Sequence, residues 1–261
     1  MSEPINLYNL LRELGQQCSR AQFEAFVTHA TEQRYSPAQV LEEFARIERC
    51  ERDARNMERR TKAARLGTVK PLEQFDWNHP RKIPRARIEG LLALDFIAAG
   101  QNVLFRGASG VGKTTLAKHL GFEALRRGHT VRFVTLAQFL ADLVKQESLP
   151  ALERRMKRYT SPDLLIIDEI GYLPCDNHAA DLLFNVITRR HESRSVVITT
   201  NLSFKRWGNL FAGAACVAAL IDRFAQHCHT IDILADSWRH EHSLERSKPN
   251  SASSSRPSEE H

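Results

Sequence analysis

The sequence predicts an α/β protein: a parallel, five-stranded sheet with helices on both faces, preceded by a small all-α N-terminal domain. Three observations predict it. From residue 88 onward, short apolar runs alternate with helix-period segments, and such alternation builds a parallel sheet covered on both sides. One of those runs, Leu164-Leu165-Ile166-Ile167, is apolar without a break, as a strand buried on both faces requires. Ahead of residue 67, apolar positions recur in steps of three and four, the period of amphipathic helices.

The helical domain is assigned to residues 1–66. Leu7, Leu10, Leu11 and Leu14 mark a first helix, and Phe23, Phe26, Val27 and Ala30 a second. Ser19 caps the second, because its hydroxyl can accept from free N–H groups of the first turn. Ser36-Pro37 opens a third, which carries Val40, Leu41 and Phe44 and runs on through 46–66. That extension is rich in arginine: Arg46, Arg49 and Arg52 recur every three residues, and Arg55, Arg59 and Arg60 follow. The spacing predicts positive charge gathered along one side. Glu48, Glu51, Asp53 and Glu58 can pair with part of it, so the segment reads either as a solvated, salt-bridged helix or as a phosphate-contacting one. Residues 67–87 contain Pro71, Pro80 and Pro84 without a sustained period, and read as a linker wrapping the next domain. Its aromatic insert, Phe75-Asp76-Trp77, either packs on the core or lies near a bound base.

The α/β domain is assigned to 88–246. Leu91, Leu92, Leu94, Phe96 and Ile97 predict one buried helix ending at Gly100. Strands are expected at 102–105, 130–134, 164–167, 195–199 and 230–234. Helices are expected at 115–127, 136–145, 151–159, 181–191, 204–211 and 214–224. Residues 247–261, rich in serine and proline, read as a disordered tail.

The chemistry concentrates where the first strand ends. Gly107-Ala108-Ser109-Gly110-Val111-Gly112-Lys113-Thr114 is G-x-x-x-x-G-K-T, between an apolar run and a helix that opens with Thr115. Glycines let backbone N–H groups turn inward around an anion, and the helix start adds its dipole. Lys113 would reach the β/γ-phosphates of a nucleoside triphosphate, and the Thr114 hydroxyl would ligate Mg²⁺. After the third strand, Asp168 is placed to hold that Mg²⁺ and Glu169 to polarise an attacking water. Thr199-Thr200-Asn201 ends the fourth strand, and the Asn201 amide can hydrogen-bond a γ-phosphate or simply form a turn. Arg223 and Arg239 flank the fifth strand. Either can stabilise transferring phosphoryl charge, on its own nucleotide or on a neighbour's, or make a structural ion pair.

Composition narrows the classes. A net charge of +6 makes a further anionic partner plausible. The five cysteines form no C-x-x-C pair and are odd in number, which argues against a disulfide framework and fits a reducing cytoplasm. His227-Cys228-His229 with Cys216 matches no common zinc spacing. No apolar run approaches the ~18 residues of a membrane span, and the N-terminus lacks a signal-peptide apolar core.

Taken jointly, the loop at 107–114, Leu165-Ile166-Ile167-Asp168-Glu169, Thr199-Thr200-Asn201, Ile221-Asp222-Arg223-Phe224 and Asp236-Ser237-Trp238-Arg239 resemble the P-loop AAA+ ATPases of the IstB/DnaC type. The Phe75-Asp76-Trp77 segment and Asp168-Glu169-Ile170-Gly171-Tyr172-Leu173-Pro174 look most like the IstB-like members. The resemblance covers about residues 5–245. It implies an ATP- and Mg²⁺-dependent, cytoplasmic, oligomeric ATPase that binds duplex DNA without strong sequence preference, presents target DNA and stimulates a partner transposase. It further implies that Arg223 acts as an arginine finger across a subunit boundary, Asn201 as a first sensor and Arg239 in the second-sensor place. Ser-Trp-Arg stands where relatives usually show Ser-Tyr-Arg. It also favours DNA contact through Arg46, Arg49, Arg52, Arg55, Arg59 and Arg60, aided by Arg81, Lys82, Arg85 and Arg87. A DnaC-like helicase loader shares the same core. A nucleotide-gated DNA-binding module would not need hydrolysis, and a small-molecule kinase would not need the basic helix.

Overall fold

The computed structural model describes residues 7–77, 83–171, 176–211 and 214–234 of the chain. The expectations for Arg81, Lys82, the Tyr172-Leu173-Pro174 stretch, Arg239 and the tail at 247–261 lie outside the described residues. The chain divides into two compact units, Met1–Ala63 and Ala64–His261.

The first unit holds α1 (Leu7–Glu13), α2 (Arg20–Glu32) and the body of α3 (Pro37–Ala64). Ser19 caps α2 in a reciprocal box: its hydroxyl accepts from the Gln22 N–H, and the Gln22 side-chain oxygen accepts from the Ser19 N–H. The small core is aromatic. Phe44 of α3 meets Phe23 edge-on at 5.8 Å and Phe26 at 5.7 Å. Glu48 of α3 accepts from the backbone N–H groups of Gln17 and Cys18 at 2.7 and 2.6 Å. Burial works against its charge, but those hydrogen bonds prevail and hold the carboxyl below its ordinary pKa.

The second unit continues with a 3₁₀ turn (Leu72–Gln74), α4 (Arg85–Leu91), α5 (Asp95–Ala98), β1 (Asn102–Gly107) and α6 (Lys113–Arg126). Then come β2 (Val131–Thr135), α7 (Leu136–Val144), α8 (Leu149–Thr160), β3 (Leu164–Ile170) and α9 (Asn177–Arg190). It closes with β4 (Ser195–Thr200), α10 (Phe204–Leu210), α11 (Cys216–Ala225) and β5 (Cys228–Ile233). The five strands are parallel in the order β2-β3-β4-β1-β5, so β4 is inserted between β1 and β3. Side chains alternate across the sheet. Leu165 and Ile167 join the core made by α7, α8, α9, α10 and α11, while Ile166 faces α6 on the other side.

That second packing is close. A Cβ on Gly121 of α6 would stand 2.8 Å from Ile166 Cδ1 and 3.0 Å from Leu66 Cδ2. Gly121→Leu is therefore expected to destabilise the fold by about 1–3 kcal/mol through overpacking, measured as a lower denaturant midpoint. Arg190, fully buried, ties the strand entrances together. Its guanidinium donates to the carbonyls of Tyr159, Pro162, Asp163 and Ser195 at 2.9, 2.8, 3.1 and 2.7 Å. Burial first, and Arg194 second, push its pKa down to about 9.

Two expectations are corrected. The single helix ending at Gly100 is two, α4 and α5, parted at Leu94, whose φ is 65°. At ~100° per residue, one helix would put Leu94 and Phe96 about 200° apart. Both are buried, and the left-handed turn at Leu94 lets both reach the core. The third strand does not stop at Ile167. It runs to Ile170 with a register shift between Ile167 and Ile170, so Asp168 and Glu169 belong to the strand. Among the described residues no helix is long and apolar enough to cross a membrane, and no group of three or more His, Cys, Asp or Glu could hold a metal.

Candidate nucleotide site

The site lies at the carboxyl ends of β1, β3 and β4, where ligands gather on open parallel sheets. Gly107 closes β1 opposite Ile233 of β5. A Cβ there would stand 2.4 Å from the Ile233 carbonyl oxygen, so only glycine fits. Ala108 and Ser109 are exposed, and Val111 is buried beneath the loop. Gly110 and Gly112 have φ of 82° and 93°, the left-handed region that favours glycine. Gly112 is the residue before α6, so no side chain caps that helix, which leaves its first N–H groups available to an anion. Lys113 is buried, and its Nζ donates to the loop's own carbonyls at Gly107 and Ala108 (2.9 and 2.6 Å).

Thr114, half-buried beside Thr115 in the first turn of α6, reaches across to β3. Its hydroxyl donates to Asp168 Oδ1 and Oδ2 at 2.9 and 3.1 Å, joining residues 54 positions apart. Asp168 is only 3% exposed. Thr199 of β4 donates to the same carboxylate at 2.5 Å, and its hydroxyl oxygen accepts from the Glu169 N–H at 3.0 Å. Glu169 is exposed and its φ is 65°, so the bulge swings this carboxyl out of the sheet while Asp168 stays within it. Asn201 follows closely: a Cβ on Gly171 would stand 2.6 Å from Asn201 Oδ1. The turn carrying Asn201 is fixed by Thr200, which donates to the Ile170 carbonyl at 2.6 Å and accepts from Leu202 N–H at 3.0 Å.

The fold thus brings Gly107–Thr115, Asp168, Glu169 and Asn201 to one end of the sheet, as the sequence reading expects. It also gives Thr199 a task that reading leaves unassigned. The sequence itself shows only a hydroxyl residue after the apolar run Val196-Val197-Ile198, and the sheet register sets it beside the acid pair. Thr114 and Asp168 offer oxygen donors, the chemistry a hard cation such as Mg²⁺ takes.

Arg223 is not brought to this cluster. Its guanidinium lies 4.9 Å over the Phe184 ring and hydrogen-bonds the Thr188 hydroxyl, both on α9. The arginines of α3 share one half of the helix, but not a narrow stripe. Three-residue steps drift by about 60° each, so Arg46, Arg49, Arg52 and Arg55 fan across about 180°, and Arg59 and Arg60 fall within that same half. Arg46 pairs with Glu43 at 2.5 Å, and Arg55 donates to the Gln17 carbonyl at 2.6 Å. Arg59 donates to Asn56 at 3.2 Å, and Arg60 is half-buried. Arg49 and Arg52 stand exposed on α3.

A parallel sheet in this strand order, with a glycine-rich loop opening α6 and an acid pair on β3, defines a P-loop nucleotide-binding protein of the AAA+ fold. The chain belongs to the IstB-like ATP binding protein family, which matches residues 10–246. A Pseudomonas aeruginosa relative, named for ATP binding in insertion sequence IS21, is 40% identical over 188 residues, covering 72% of this chain and 71% of the relative. A relative from Geobacillus stearothermophilus, named likewise for insertion sequence IS5376, is 32% identical over 217 residues, covering 83% and 86%. Among solved structures, AMPPCP-bound DnaA from Aquifex aeolicus shares the fold with a TM-score of 0.55 at 20% identity. The match covers 70% of this chain and 55% of that one.

Proposed function

We propose that this protein is an oligomeric, DNA-dependent ATPase that prepares target DNA for a transposase and stimulates it. The observation that carries the catalytic part is the Thr114–Asp168 contact, which joins the phosphate loop to the acid pair. The loop N–H groups and Lys113 hold the β- and γ-phosphates of ATP. Thr114 and Asp168 would hold Mg²⁺, which supplies charge neutralisation at the phosphates when bound. Glu169, swung out by its backbone, takes a proton from the attacking water, and Asn201 orients that water against the γ-phosphate. Arg223, held on α9 and away from its own subunit's loop, serves the nucleotide of a neighbour. Arg239, by its Ser-Trp-Arg setting, would approach the same phosphates. The insertion-sequence setting of the relatives and the basic balance of the chain support DNA and a transposase as partners.

The test is ATP turnover with and without duplex DNA, alongside particle size with a non-hydrolysable analogue. Stimulation by DNA together with growth in size is expected; turnover indifferent to both would sink the reading. On α3, Arg46, Arg49, Arg52, Arg55 and Arg59 are all exposed, but Arg46, Arg55 and Arg59 are engaged in side-chain hydrogen bonds, which favours Arg49 and Arg52 as the DNA contacts. Replacing both with Ala is expected to lower the salt slope of duplex binding by about 0.9 for each phosphate that the variant no longer neutralises. An unchanged slope would make α3 a solvated face.

A further inference from the structure

The phosphate loop holds phosphates through backbone groups and cannot by itself tell a nucleotide from inorganic polyphosphate. Reading a base requires a planar or edge contact near the loop. The segment that follows α3 supplies one. Leu66 lies against Gly121 in the middle of α6, and Gly67 beside Lys118, with a Cβ there 3.8 Å from Nζ. Phe75 lies on Gly112, the residue before α6, where a Cβ would stand 2.5 Å from ring atom Cε2. Residues 66–75 therefore run along α6 toward its N-terminus and deliver an aromatic ring to the phosphate loop. The 3₁₀ turn sets that delivery, with the Phe75 N–H donating to the Leu72 carbonyl at 3.0 Å.

The ring does not come alone. Trp77 meets Phe75 at 4.9 Å between centroids in a T-shaped pair, and the Arg85 guanidinium covers the Trp77 ring at 4.9 Å. Arg85 in turn pairs with Glu89 at 2.7 Å, so its position is braced. Both aromatic rings are only half-buried, unlike the fully buried Phe105 and Phe139 of the core. A ring needed solely to fill space is ordinarily covered. Half-exposed rings beside a phosphate seat keep π surface for a planar partner.

We propose that Phe75 and Trp77 form the wall on which the base of the bound nucleotide stacks, so that the linker supplies base affinity to a site whose loop supplies phosphate affinity. The inference rests on the ATP-binding reading and adds a positioned aromatic contact to it. Every base has a π face, so the wall favours nucleotides over polyphosphate and purines, with their larger rings, over pyrimidines.

The experiment compares ATP with inorganic tripolyphosphate, each with Mg²⁺, by calorimetry on the full chain and on Phe75→Leu and Phe75→Tyr. Leucine still fills the space on Gly112 but has no π face; tyrosine keeps both. The wild type is expected to bind ATP more tightly than tripolyphosphate. Phe75→Leu is expected to lose about tenfold in ATP affinity with tripolyphosphate unchanged, and Phe75→Tyr to restore it. Equal losses for both ligands, or none for ATP, would overturn the base wall and leave the ATP reading standing. Failure of the wild type to bind either ligand would overturn the ATP reading and the wall with it.

Discussion

Lys113→Ala is expected to lose ATP affinity by about 10²-fold, the effect of removing ~3 kcal/mol of charge-assisted hydrogen bonding. The reason lies in where the amine is held. Lys113 is 7% exposed, and its Nζ already sits on the Gly107 and Ala108 carbonyls, at the start of the turn that must receive the phosphates. The charge is thus positioned before ligand arrives, and little rotamer freedom remains to be lost on binding. Lys113→Arg is expected to fail as well. A planar, forked guanidinium cannot occupy the place of a compact ammonium between those carbonyls. Titration with a fluorescent ATP analogue measures both variants, with circular dichroism to show that the fold persists. Undiminished affinity in Lys113→Ala would remove the loop from the nucleotide site.

The elements legible in the sequence were those whose signal is local. The unbroken apolar run at 164–167 announced a doubly buried strand, and Ser19 with Gln22 announced the start of α2, because a cap is settled within four residues. The break in the helix ahead of Gly100 is not legible locally, because it comes from the tertiary demand that Leu94 and Phe96 both be buried. The strand order was not legible at all. That β4 lies between β1 and β3 is a matter of pairing across more than ninety positions, as in Val103 opposite Val197. The same gap hid Thr199. Its residue type carries no chemistry until the sheet sets it beside Asp168. The arginines of α3 gather on one half of the helix, but as a broad fan and not a narrow stripe, because a three-residue repeat is not the helical period.

Glu169→Gln is expected to lower turnover by about 10²–10⁴-fold while ATP affinity stays near that of the wild type. The geometry separates this residue from Asp168. The Asp168 carboxylate is buried and takes hydrogen bonds from Thr114 and Thr199, which fix its position as an oxygen donor. Glu169 is turned out of the sheet by its positive φ, and Thr199 holds its backbone N–H. Its carboxyl is free to meet a water molecule, and glutamine keeps the shape but cannot take the proton. Thr199 then becomes a positioning residue for both acids. Thr199→Val is expected to lower kcat with a smaller change in KM, and Thr199→Ser, which retains the hydroxyl, to recover most of it. Single-turnover kinetics with labelled ATP distinguish these outcomes. If Glu169→Gln hydrolysed ATP at the wild-type rate, the acid on β3 would not be the base. If it bound ATP, failed to hydrolyse it and still supported full transposase stimulation, hydrolysis would be incidental and nucleotide binding alone would set the active state.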